Sequence, residues 1–249
     1  MIRLQRPAIP PALARKAPNA TRKLWDAWRK GGEMPKANAA VYADPAVKRT
    51  LCAAQHDKCA FCETINPSSH EVVEHYRPKD GWRQSRGDAL QKPQYFWLAY
   101  AWENLLFVCD VCNDRAHKEN LFPLANPVFR ATPDEPDTAG EDPLLINPYG
   151  PRDPEDHIDW NSDVPVVRNG SPRGRATIEV LGLDRDGMRA DFRRAHLSET
   201  EVSLARLERL PKNDPLRVEM RSAFPKFLGD DAPWAAMIRA NLGDRIRAL

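Results

Sequence analysis

Apolar residues come in short bursts along this chain, separated by polar and proline-rich stretches, and the spacing within each burst predicts an element. Leu24, Trp25 and Trp28 share one face of a short helix over 21–30 that Gly31-Gly32 ends, while residues 1–20, broken by Pro7, Pro10, Pro11 and Pro18, read as extended or disordered. Asp44 caps and Pro45 opens a helix running to about Gln55, with Val47, Leu51 and Ala54 as its apolar stripe. Glu71 to Tyr76 alternates like a strand and Pro78 ends it; 79–94 is a polar loop and 95–102 a buried aromatic segment, helix or strand. Leu105 to Val108 is a second strand, after which Asp110 caps a helix to about Glu119. Prolines from Pro123 to Pro154 leave no room for a long element, so that stretch wraps a core. Val164 to Val167 is a strand before the turn Asn169-Gly170. Helices follow over 175–181, 188–210 (with Met188, Phe192, Ala195 and Val202 as its stripe), 216–228 and 233–242, the last stopped by Gly243.

These elements define an α+β chain in four parts: a basic arm with helices (1–50), a strand-strand-helix core (51–125), an acidic proline-rich wrap (126–170) and a helical region (171–249). At 249 residues the chain can bury a sizeable core as one large domain or two small ones. The longest apolar run, Tyr95 to Trp102, is too short to span a bilayer, and prolines interrupt the N-terminus where a signal core would lie; a cytoplasmic protein with no membrane partner is expected. The formal net charge is only +2, but it is unevenly spread. Residues 1–30 hold eight Lys or Arg against one Asp, and residues 132–163 hold ten Asp or Glu against one Arg. The first suits phosphate contact or a solvated arm equally; the second is repelled by nucleic acid and should face elsewhere, as towards a partner.

Five cysteines, an odd number, argue against a disulfide framework. Cys59-Ala60-Phe61-Cys62 and Cys109-Asp110-Val111-Cys112 form two CxxC pairs, the spacing with which two knuckles present four thiolates to one structural zinc. Cys52 is left over as a small core residue.

Between the knuckles lies Glu74-His75-Tyr76-Arg77-Pro78-Lys79, with Asn104-Leu105 just before the second pair. Hydrolysing a phosphodiester needs a base for the attacking water and charge to stabilise the phosphate. His75 is the candidate base. Glu74 is a hard ligand for Mg²⁺ or Mn²⁺, and Asn113 and His117 share a face of the predicted helix as further ligands. Arg77, Lys79, Arg115 and Lys118 are candidate phosphate contacts, and Asn104 can hydrogen-bond the loop backbone and hold His75 in place. In a regular strand Glu74 and His75 point to opposite faces, so they meet one phosphate only across a twisted end or an edge. His56, His70, His157 and His196 read as structural or surface residues.

These residues resemble the HNH endonuclease superfamily, whose ββα-metal, treble-clef-like fold is shared with colicin DNases. His75 matches the first H, Asn104 the N, and Asn113 the last position; the resemblance implies Glu74, Asn113 and His117 as ligands of a catalytic Mg²⁺ or Mn²⁺ beside the structural zinc. A resemblance covering most of the chain is to the PtuB nucleases. It is carried by Cys-Ala-Phe-Cys-Glu, Glu-His-Tyr-Arg-Pro-Lys, Cys109 to Asn113, Phe122-Pro123-Leu124, Leu144 to Pro148 and Thr177-Ile178 with Leu181-Gly182-Leu183. That resemblance implies a nuclease effector of the Septu or retron anti-phage systems beside an ABC-type ATPase, PtuA, with tryptophans and helices outside 59–118 as the docking surface. DNA is the preferred substrate. RNA cleavage at the same site, or a non-catalytic zinc-stapled nucleic-acid-binding or scaffold protein, are the competing readings.

Overall fold

The computed structural model describes residues 1–31, 33–65, 72–114, 116–185 and 187–249. Glu71, at the expected start of the first strand, and Arg115 lie outside them. The N-terminal prolines start a helix rather than preventing one: Pro11 occupies the first turn of α1 (Pro11–Arg29), where its missing N–H is an orphan anyway. Pro18 sits inside the helix, which persists because Leu13 and Leu24 are buried and Trp25 and Trp28 pack on Phe96 and Trp97. The segment before α1 is also ordered. Met1, Ile2 and Leu4 are buried, the Leu4 N–H donates to Pro148 O (2.8 Å), and Arg6 donates to Leu105 O (2.6 Å). Residues 1–10 are thus ordered without a helix or strand, and the expectation of an extended or disordered chain fails at 11–20, where apolar burial outweighs the helix cost of one proline. The short α2 (Ala39–Tyr42) is capped by Asn38 and α3 (Pro45–Ala54) by Asp44, with Val47 and Leu51 fully enclosed.

The hairpin that carries the central residues is short. β1 (Val72–His75) pairs antiparallel with β2 (Leu105–Val108), placing Glu74 opposite Leu106 and His75 opposite Leu105. All four β2 residues are buried, so both faces of the hairpin are covered. The aromatic segment between the strands forms two 3-10 turns, 96–98 and 102–104, rather than an α-helix or strand. The helix after β2 is a single turn, α4 (Asp110–Asn113); the chain leaves it at Asp114 in an extended conformation, so the expected helix to Glu119 does not form.

Five of the ten acidic residues in the proline-rich wrap pair with arginines of the chain, while Asp134, Glu135 and Asp137 are exposed. Glu141 accepts from Arg77 (2.7 Å) and the Tyr95 hydroxyl (2.6 Å), Asp142 pairs with Arg152 and Arg173, Glu155 with Arg239, Asp159 with Arg168 and Asp163 with Arg194. A second hairpin, β3 (Ile158–Asn161) with β4 (Val164–Val167), leads to α5 (Pro172–Leu181). Beyond it, α6 (Met188–Arg209), α7 (Pro215–Ala223) and α8 (Ala235–Arg247) gather a smaller core of Leu197, Leu204, Leu207, Phe224 and Ile238. The buried stripe of α6 is not the expected one: Phe192 and Val202 are exposed, whereas Arg193 and Thr200 are buried with hydrogen bonds to backbone oxygens. Gly243 does not stop α8, which buries it and runs on to Arg247.

Candidate metal knuckle and catalytic cluster

The two CxxC turns come together as the spacing predicts. The Sγ atoms of Cys59, Cys62, Cys109 and Cys112 lie within 4.8 Å of one another, all buried and none in a disulfide. Cys62 Sγ and Cys109 Sγ are 3.7 Å apart. A tetrahedral zinc with bonds of about 2.3 Å sets its sulfurs about 3.8 Å apart, so the cluster fits that ion. Crowding makes the thiols unequal: hydrogen bonds from Cys109, Cys112 and Cys59 push Cys62 well below the ordinary thiol range, and the bond with Cys109 pushes Cys112 well above it. All four can ionise together only around a cation. Two residues that pattern reading missed tie distant segments to the knuckle. Arg189 at the start of α6 donates to Cys112 Sγ (3.1 Å), and the enclosed Lys58 donates to Asp230 O (2.6 Å) and Ala232 O (2.8 Å). Neither belongs to a motif; only the fold brings them there.

Glu74 and His75 diverge from the end of β1, as strand alternation requires. The Glu74 carboxylate accepts a hydrogen bond from Lys118, whose Nζ also donates to His75 O (2.7 Å). Lys118 is fully enclosed, so it is a buried partner of Glu74 and not the surface phosphate contact expected. On the other face, His75 Nε2 lies 2.9 Å from Ala99 O, and its ring meets Tyr42 edge-on at 4.6 Å. A carbonyl only accepts, so Nε2 carries the proton and Nδ1 keeps the lone pair. Burial first, then the charge of Lys79, hold the His75 pKa down at about 3, leaving the ring neutral at pH 7. Asn104 clamps the turn after β1: it accepts from the Arg77 N–H (2.7 Å) and donates to Arg77 O (3.0 Å) and Leu98 O (3.2 Å).

The helical face that Asn113 and His117 were expected to share as cation ligands is not formed. With α4 ending at Asn113, His117 leaves the helical face it was expected to share. Its Nδ1 lies 2.6 Å from Asp114 Oδ1, and its ring packs where a side chain on Gly182 would otherwise sit. Among the described residues, only the four cysteines form a set of three or more His, Cys, Asp or Glu that converges. Asn113 is half-buried at the end of α4. Of the remaining phosphate candidates, Arg77 pairs with Glu141, Lys79 pairs with Asp80 and lies over the Tyr42 ring (5.7 Å), and Arg115 is outside the described residues. Cys52 is half-buried and lies 3.0 Å from Asp57 Oδ1.

No family model matches the sequence. The chain is 35% identical over 184 residues to the Septu protein PtuB of Bacillus mycoides (strain KBAB4), covering 73% of this chain and 60% of PtuB. A 143-residue stretch is 32% identical to the Septu protein PtuA of the same strain, covering 57% of this chain but 19% of PtuA. The chain thus spans less than two thirds of the length of either relative. No helix among the described residues is long and apolar enough to cross a membrane. Across 73% of its length the chain is similar in sequence to PtuB, and it carries a buried four-cysteine cluster that fits zinc.

Proposed function

We propose that the chain is an HNH-type endonuclease that hydrolyses phosphodiester bonds, in DNA by preference, as the effector of an anti-phage defence system with an ABC-type ATPase as its partner. The observation that carries the reading is His75. It stands at the end of β1, between the two cysteine knuckles in sequence, with its tautomer set by Ala99 O and its Nδ1 lone pair without a hydrogen bond among the described residues. A neutral imidazole held this way takes the proton of an attacking water, a contribution of about 10²–10⁴ in rate. Asn104 holds the turn that follows, and Arg77 and Lys79 bring positive charge to the same turn. The likeness to PtuB supports the defence setting and the ATPase partner.

His75 is only 4% exposed beneath Tyr42, so the tyrosine must swing aside before a phosphate reaches the base. That closed geometry suits an effector held inactive until its partner acts. A divalent cation at Glu74 would have to compete with Lys118, which pairs with that carboxylate here. The same burial favours a second reading, a zinc-stapled nucleic-acid-binding protein without catalysis. Incubating the chain with plasmid DNA and with total RNA separates the two, alone and with a co-encoded ATPase, in Mg²⁺, Mn²⁺ or EDTA. The nuclease reading expects cleavage that His75→Ala abolishes. No cleavage by the wild type under any condition leaves the binding protein, and cleavage that His75→Ala does not change removes His75 as the base.

A further inference from the structure

Two cavities adjoin at Leu24 of α1. One, of about 490 Å³, is lined by Arg15, Lys23, Lys36 and Tyr100; the next, of about 470 Å³, by Lys36, Lys79, Lys92 and Phe96. They share Leu24, Pro35 and Lys36 as a common wall and form one groove. Lys16 and Lys79 on its rim pair with Asp44 and Asp80, and Glu33 lines it as well. Arg15, Lys23, Lys36 and Lys92 are exposed and have no acidic partner among the described residues. The groove passes the cover of His75. Tyr42 lies 6.4 Å from Tyr100, 5.7 Å below the Lys79 ammonium and 4.6 Å from the His75 ring.

We infer that this groove is the track on which a nucleic-acid backbone runs past Tyr42 to His75. The cations stand in series, where a single bound phosphate would call for donors converging on one point. Phe96 and Tyr100 are buried in the groove wall, so the exposed cations without acidic partners suit contact with the phosphates of a polyanionic strand rather than with its bases. The basic N-terminal residues do not all contribute, since Arg6 points inward and lies over the Tyr149 ring at 3.7 Å. The track rests on the nuclease reading for its endpoint, but binding alone tests it.

The experiment is fluorescence anisotropy of labelled single-stranded DNA, duplex DNA and RNA of equal length on the full chain carrying His75→Ala. Four phosphate contacts give a salt slope of about −2.8 on a single strand and about −3.6 on a duplex. Between about 50 and 200 mM salt that is about a 50-fold or about a 150-fold loss of affinity. Adding Lys23→Ala, Lys36→Ala and Lys92→Ala should leave a slope of about −0.7 to −0.9, while Arg206→Ala with Lys212→Ala should leave it unchanged. An unaltered slope in the groove variant, no binding at low salt, or equally tight binding of polyglutamate each overturns the track. If the groove variant behaves as predicted while wild type cleaves neither DNA nor RNA under any condition, the track stands and the nuclease reading falls. The arms with RNA and DNA identify which strand it holds.

Discussion

Replacing Lys118 with methionine probes the least anticipated feature of the cluster. Lys118 is fully enclosed, and its ammonium serves both the Glu74 carboxylate and His75 O. Methionine keeps most of the stem's packing but leaves Glu74, 7% exposed, as an uncompensated buried charge. Breaking a buried ion pair from one side costs about 3–5 kcal/mol. The orphaned His75 carbonyl adds about 1–3 kcal/mol unless water reaches it. Removing both charges, Glu74→Gln with Lys118→Met, takes away the unpaired carboxylate, so the double variant should recover about 2–4 kcal/mol relative to Lys118→Met alone. Urea unfolding followed by circular dichroism measures this, with all variants required to keep the wild-type m-value. A Lys118→Met cost below about 1 kcal/mol would refute the buried pair, because surface ion pairs are worth that little. So would a double variant whose loss equals the sum of the two singles.

Gly182→Ala should destabilise by more than the roughly 1–2 kcal/mol that a left-handed residue costs, since the new Cβ meets His117 Cδ2 at 2.6 Å; His117→Ala in the same chain should reduce the loss to the backbone cost, read again by urea midpoint. Purified protein should carry about one zinc per chain by elemental analysis; Cys109→Ser should lose it together with a stabilisation on the order of 10 kcal/mol, appearing as an unfolded or aggregated chain. His75 should make the fold sensitive to acid. Its folded-state pKa of about 3 lies below the ordinary 6.5, so the unfolded chain binds the extra proton between those values. Stability attributable to His75 should then fall by about 1.4 kcal/mol per pH unit as pH drops from 6.5 towards 3. A His75→Gln variant should lack that portion of the slope in parallel unfolding curves.

The parts of the molecule that announce themselves do so through residues whose chemistry allows few alternatives. Four cysteines in two CxxC turns converge on one point, and Asn104 clamps the turn after β1 with three hydrogen bonds. β1 and β2 show as short apolar runs with a proline or a polar turn beside them. What stayed hidden depends on partners far along the chain. Pro18 looked like a helix breaker until the core contacts of Leu13 and Leu24 were known. The buried stripe of α6 contains Arg193 and Thr200, polar residues that hydrophobic spacing discards but backbone oxygens satisfy. The helix after Cys112 ended early, and with it went the shared face of Asn113 and His117. Lys118 looked like one more surface cation, because nothing in its neighbourhood shows that Glu74 and His75 O will close over it. The acidic wrap is divided: Asp134, Glu135 and Asp137 are exposed, as an excess of carboxylates suggests, whereas Glu141, Asp142 and Glu155 pair with Arg77, Arg173 and Arg239, which nothing in the local sequence shows. The tryptophans expected at a docking surface are partly claimed by the chain's own core, with Trp25 and Trp28 against Phe96 and Trp97 and Trp234 buried beside His196.

The central claim is that a neutral His75, oriented by Ala99 O, removes a proton from water at a phosphodiester. Its most direct measurement is the single-turnover cleavage rate of a labelled DNA by wild type and by His75→Ala, each in the presence of the co-encoded ATPase. Both proteins must first show the same zinc content and the same unfolding midpoint. The account predicts a rate at least about 10²-fold lower for the alanine variant. Equal rates from two equally folded, equally metallated proteins would contradict it.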